Sequence, residues 1–227
     1  MHALFVAAAL TATPAPVESY TSLDVAAGAI AAGAGTGTLL FSQGDCLAVK
    51  VYTRSAYTHV AAVVVEDGRA YVYDSQNNTG VRRLPLEEYL AVERPFRFHV
   101  FRPKVDFTER RTRNFIEHLQ SQVGRPYAIA HHVTGERADG LHCSEYLTDA
   151  LIHCHVLRAK QPPRVSPASL VEGLLKGNLY EPLKTVEVRD PPESVADGRC
   201  WCEQMWIDTK QCTKRFCRNL SRVFLCR

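Results

Sequence analysis

The sequence predicts an α+β fold in which an antiparallel sheet packs on helices. Three observations carry that expectation. Strand-like runs cluster between residues 44 and 101, helix-like runs follow between 107 and 177, and the two kinds do not alternate as a parallel βαβ array requires. The chain has 227 residues, 46% hydrophobic and 22% charged, enough for one domain of moderate size with extensions. Its formal charge of +3 is too small to indicate a nucleic-acid partner, and none is expected.

Residues 1–43 are rich in Ala, Gly and Thr and read as an N-terminal extension. Residues 3–10 (ALFVAAAL) form an apolar run followed by small residues, as in a signal peptide, although His2 is the only residue in place of a positive leader. If Met1–Pro16 is such a peptide, the protein is secreted or held in the cell envelope. Otherwise it is cytoplasmic. The apolar stretch Val25–Leu40 is Gly-rich and short for a membrane span. Asp24 is placed to cap a short helix over 25–32. Gly33-x-Gly35-x-Gly37 lacks the third glycine at the spacing of a dinucleotide loop, and the following LLFSQGD does not open a helix.

From Gly44 to Val188 the signals describe one catalytic-sized domain. Cys46–Tyr52 reads as a strand. His59–Val65 is a β-branched run, Asp67-Gly68 a two-residue hairpin turn and Ala70–Ser75 the returning strand. Pro85–Leu90 reads as a helical turn and Phe96–Phe101 as a further strand. Phe115, Leu119 and Val123 recur at helical spacing over 107–123, before Gly124. A second helix opens near Cys143 and buries Leu147, Ala150, Leu151 and Cys154. A third has Ser166 as N-cap, Pro167 in its first turn and Gly177 beyond its end. Leu183–Val188 reads as the last strand and Arg189–Gly198 as a linker.

Residues 189–227 form a linker and a Cys-rich basic helix. Over 199–227 there are seven basic residues against Glu203 and Asp208. Cys212, Phe216, Leu220 and Val223 recur as on one helix face, and Lys210, Lys214, Arg218 and Arg222 as a second stripe. Five of the eight cysteines lie here, without C-x-x-C knuckles. If Cys143 stays free, seven remain, which cannot all pair within one chain.

Two segments carry the chemistry. A histidine heads the strand at Tyr57-Thr58-His59-Val60, and a cysteine opens a helix at His142-Cys143-Ser144-Glu145. A thiol beside an imidazole and at a helix N-terminus is favoured as thiolate. The two-residue turn sets the pairing so that His59 faces Gln76, with Asp74 diagonally beside it on the same face. Either Asp74 or Gln76 could then hold the imidazole.

The stretch from Gly44 to about Tyr180 resembles the permuted papain-like hydrolases of the YiiX type, within the NlpC-type superfamily. The matching pieces are Gly44-Asp45, Ser55-Ala56-Tyr57-Thr58-His59-Val60, the hairpin, Gly124-Arg125-Pro126-Tyr127, His142-Cys143-Ser144-Glu145 and Ser166-Pro167-Ala168-Ser169-Leu170. The resemblance implies a circularly permuted papain-like fold with histidine before cysteine. It implies Cys143 as nucleophile, His59 as base and Asp74, where relatives often carry Glu, as the acidic partner, with no cofactor. Tyr57 and Tyr127 are candidates for the substrate-binding wall.

The expected substrate is a small amide or peptide, including cell-wall peptide. A lipid ester is the alternative for the same Cys–His pair, through the related lecithin:retinol acyltransferase branch. A metal site is the chemical rival, since His131, His132, His142, Cys143, His153, Cys154 and His155 crowd one region. Their spacing fits no zinc protease or deaminase pattern. The basic tail suggests an anionic membrane surface or an acidic partner, or else a helix docked on the domain by its apolar side.

Overall fold

The computed structural model describes residues 15–42, 57–93, 96–129, 134–137, 139–189 and 200–225, with the backbone alone for 211, 215 and 218–225. The expected strand Cys46–Tyr52, most of the candidate signal peptide, His131, His132 and the linker 190–199 lie outside the described residues. Among the described residues there are seven strands: β1 (Val17–Tyr20), β2 (Thr38–Ser42), β3 (His59–Glu66), β4 (Arg69–Gln76), β5 (Gly80–Pro85), β6 (Phe96–Pro103) and β7 (Tyr180–Val188). The helices are α1 (Leu23–Ala31), α2 (Leu86–Glu93), α3 (Glu109–Ser121), α4 (Cys143–His153), α5 (Pro167–Lys176) and α6 (Trp201–Leu225), with a 3₁₀ turn at Pro162–Arg164.

The strands form one sheet in the order β1-β7-β6-β2-β3-β4-β5. All pairs are antiparallel except β1 with β7. Val60 to Val64 are buried without a polar interruption because both faces of β3 are covered. On one face Leu39, Phe41, Val60, Ala62 and Tyr73 pack under Phe115 and Leu119 of α3, Leu147 and Leu151 of α4 and Leu170 and Leu174 of α5. On the other, Leu40, Ala61, Val63, Val72 and Phe98 pack under Ala27 and Ile30 of α1 and Tyr89 and Leu90 of α2.

The hairpin behaves as its turn chemistry requires. Asp67 and Gly68 both have positive φ, 49° and 76°, as a two-residue turn of matching twist needs. Glu66 therefore pairs with Arg69 and Ala62 with Tyr73. The third helix also follows its signals: Ser166 accepts a hydrogen bond from the Ser169 amide, Ser169 returns one, and Gly177 follows Lys176.

Several expectations need correction. Ser22, not Asp24, caps α1, its hydroxyl accepting from Val25 N–H, so Asp24 falls inside the first turn. The boundary at 43/44 does not part an appendage from the domain. β2 lies in mid-sheet between β6 and β3, with Leu39, Leu40 and Phe41 fully buried. The helical turn read over Pro85–Leu90 is present as α2, with Pro85 the last residue of β5, and Gly80–Arg83, for which no element was read, pairs with β4. Among the described side chains of the tail helix, Trp201, Met205, Trp206 and Phe216 are exposed, where the docked reading expects the apolar side to be covered.

Candidate functional site

His59 heads β3, Asp74 lies near the end of β4 and Cys143 is the first residue of α4. The hairpin register places His59 and Asp74 on one face, two residues out of direct opposition. His59 Nε2 lies 3.1 Å from Asp74 Oδ2. An ionised carboxylate only accepts, so Nε2 carries the proton and Nδ1 is left for the thiol. Gln76, the alternative orienter, pairs with Gly80 at the end of β4.

Asp74 is itself held from the far side. Arg82 stands opposite it in the β4–β5 register and grips it twice, Nε to Oδ1 at 2.8 Å and NH2 to Oδ2 at 3.1 Å. Arg82 also reaches Glu93 of α2 at 3.1 Å. Burial alone would raise the Asp74 carboxyl. The hydrogen bonds from His59 and Arg82 overcome this and hold it below the ordinary carboxylate range. A 1% exposed carboxylate with two cationic partners is ionised and cannot rotate away.

Cys143 is 5% exposed and has a free thiol. Burial favours the neutral thiol, but the His59 charge, the adjacent His142 imidazole and a hydrogen bond from His59 lower it to about 6. For His59 the balance runs the other way. Burial favours the neutral ring, yet the Cys143 charge and the Asp74 hydrogen bond raise it well above its ordinary value. Both shifts favour the thiolate–imidazolium form of the pair. Cys154, also in α4, is the contrast. It is fully buried, and burial pushes its thiol up to about 11.

The mouth of α4 is fixed by two flanking segments. His142 is its N-cap: Nδ1 accepts the Glu145 amide at 3.3 Å and Nε2 donates to the Pro163 carbonyl at 2.8 Å. Ser144 Oγ donates to the Val165 carbonyl at 2.6 Å. On the other side Ser75 Oγ donates to the Leu141 carbonyl at 2.6 Å, and Leu141 N–H donates to Pro126. The Gly124–Pro126 segment is stitched to β5, Val81 N–H to the Arg125 carbonyl at 2.8 Å and Gly124 N–H to the Val81 carbonyl at 2.9 Å.

Tyr127 follows that segment. Burial, and then the Cys143 charge, raise its phenol. Tyr57 is half-buried, its ring edge-on to Phe41 at 5.6 Å and to His99 at 5.4 Å. It packs on the same core cluster as Cys143. Two residues of the site had no role assigned from sequence: Arg82, because β5 was not recognised, and His142, because histidine is an unusual N-cap. The turn at Asn78 and Gly80, both with positive φ, directly after β4 was the available signal that a paired strand carrying Arg82 follows.

Among the described residues no group of three or more His, Cys, Asp or Glu side chains is placed to hold an ion. His153 packs against the His118 ring at 5.1 Å, and His142 is engaged in capping. A cavity of about 700 Å³ is lined by Ile152, Val156, Leu170 and Leu174 and by none of Cys143, His59 and Asp74.

A search of curated proteins finds no match. Among solved structures the chain is similar to one described as metalloprotein yiiX from Escherichia coli O157:H7, at 19% identity over 68% of this chain and 88% of that one, with a TM-score of 0.47. The family model described as permuted papain-like amidase enzyme, YaeF/YiiX, C92 family, matches residues 34–163, more than half of the sequence. The histidine-before-cysteine order, the mixed α+β architecture and that match agree, and the chain belongs to the permuted papain-like amidases of the YaeF/YiiX, C92 family.

Proposed function

We propose that the protein hydrolyses an amide bond of a small molecule or peptide through an acyl-enzyme on Cys143. The observation that carries this reading is the Cys143–His59–Asp74 arrangement, with a thiol lowered to about 6 at the N-terminus of α4. The Cys143 thiolate attacks the carbonyl carbon. The oxyanion forms beside the first-turn amides of α4, which helix geometry leaves without intrahelical acceptors. As the C–N bond breaks, the amine takes the proton from His59. Water then gives a proton to His59, attacks the thioester and releases the acid and the thiolate.

The protonated state of His59 favours amides. An amine departs only when protonated, and a ring held as imidazolium by Cys143 and Asp74 has that proton in place before the attack. An ester needs this help less. Tyr127, whose phenol the Cys143 charge helps to raise, and Tyr57, beside the same core cluster, serve as wall residues for the acyl group in this reading.

The test compares wild type, Cys143→Ala and His59→Ala. A small iodoacetamide probe at pH 6, read by intact mass and peptide mapping, should label Cys143 selectively, and His59→Ala should slow that labelling. Paired amide and ester substrates bearing the same acyl group should both acylate Cys143, with trapped thioester visible by mass. Cys143 labelling unchanged by His59→Ala removes the mechanism. Turnover of the ester alone replaces the amide with a lipid-type ester as substrate.

A further inference from the structure

Helix α6 is the feature that the catalytic reading leaves unused. Over its described side chains Trp201, Met205, Cys212 and Phe216 fall on one face by helical periodicity, while Lys210 and Lys214 fall on the opposite one. Trp201, Met205, Trp206 and Phe216 are 72%, 49%, 60% and 64% exposed. Four large apolar side chains in water along one helix are unusual for a soluble surface unless something covers them. The Lys210 ammonium sits 4.8 Å from the centre of the Trp206 ring, so this indole stands on the lysine side of the helix and flanks the cationic stripe. No described helix is long and apolar enough to cross a membrane.

We propose that α6 docks the protein on an anionic lipid surface, lying in the plane of the headgroups. The charge is what selects this occupant. The helix sequence carries Lys210, Lys214, Arg215, Arg218 and Arg222 against Glu203 and Asp208. Cations four residues apart repel one another, and an anionic surface relieves that repulsion while the aromatic face enters the acyl boundary. Indole rings are suited to that boundary, having an apolar body and one N–H for the headgroup level. A second copy of the chain would instead bring two cationic helices together. This docking is independent of the chemistry at Cys143, since no residue of the catalytic trio lies on α6.

The chain carries its own probe. Its two tryptophans are Trp201 and Trp206, so intrinsic tryptophan emission reports on α6 alone. The full-length protein should emit as water-exposed indole in buffer. Vesicles of phosphatidylcholine with 30% phosphatidylserine should shift the emission to the blue and co-sediment the protein, and pure phosphatidylcholine should do neither. Raising the salt should reverse the shift. Lys210→Gln/Lys214→Gln, which keeps helix propensity and both reporters, should weaken partitioning on the order of 25-fold. Met205→Gln/Phe216→Gln should weaken it with the charge unchanged.

Three results would overturn the proposal. Emission already blue in buffer and indifferent to vesicles means the face is covered by the domain itself. A blue shift that grows with protein concentration without lipid means a second copy covers it. Equal binding to charged and uncharged vesicles removes the role of the cationic face.

Discussion

At the residue scale the site turns on two opposed shifts. Burial favours neutral Cys143 and neutral His59, and the mutual charge of the pair, backed by Asp74 and His142, favours the ions. The pH dependence follows from the sign of each. Cys143 gains its charge as pH rises through about 6, so its alkylation rate should climb there and fall away below, where an ordinary thiol would climb near 8.5. Removing Asp74 weakens the imidazolium and so the support for the thiolate. Asp74→Asn should move that midpoint upward and lower kcat/KM by about 10²-fold, measured by rate–pH profiles with thermal unfolding as a control on folding. Asp74 was legible in the sequence because the Asp67-Gly68 turn fixes the pairing of every residue after it. His142 was not: His142→Asn keeps a capping side chain and removes the imidazole that helps lower the thiol, and should raise the midpoint without a large loss of stability.

At the element scale β5 holds the site together, and its sequence hid it. Gly80–Pro85 has no β-branched run, and its two adjacent arginines interrupt any strand alternation. It becomes a strand because Asp74 needs Arg82 opposite and because Gly124 and Arg125 pair with Val81. β2 was missed for a different reason: Thr38–Ser42 is a short apolar run, which periodicity alone cannot assign to helix or strand. Gly80 is the critical joint. Its φ is +77°, and a Cβ there would stand 2.2 Å from the Arg125 carbonyl oxygen. Gly80→Ala should cost about 1–3 kcal/mol from backbone strain alone, visible as a lower Tm. It should also slow Cys143 labelling, because the displaced segment leads to Pro126 and, through it, to Leu141. Arg82→Met strips one partner from a buried carboxylate. It should cost about 3–5 kcal/mol and lower Tm by roughly 6–20 °C in a thermal melt.

At the scale of the whole molecule, one sheet clad on both faces supports a site at the ends of β3, β4 and α4. The α+β class was legible because strand and helix periods separate along the chain. The place of residues 15–42 was not, since pairing across more than a hundred residues, as of β1 with β7, leaves no local trace. The tail gives the sharpest contrast between pattern and packing. Its amphipathic period was clear in the sequence, and an amphipathic helix ordinarily buries its apolar side. Here Trp201, Met205 and Phe216 of that side stay in water, and among the described residues the helices that complete the core clusters are α1 to α5. A helix that buries little against the domain contributes little to its stability, because stabilisation scales with the apolar area removed from water. Deleting residues 200–227 should therefore leave the Tm within about 2 °C of the full chain and the Cys143 labelling rate unchanged. A melt lowered by roughly 10 °C or more would mean that the aromatic face packs on the domain in solution, and would also remove the free surface on which lipid docking depends.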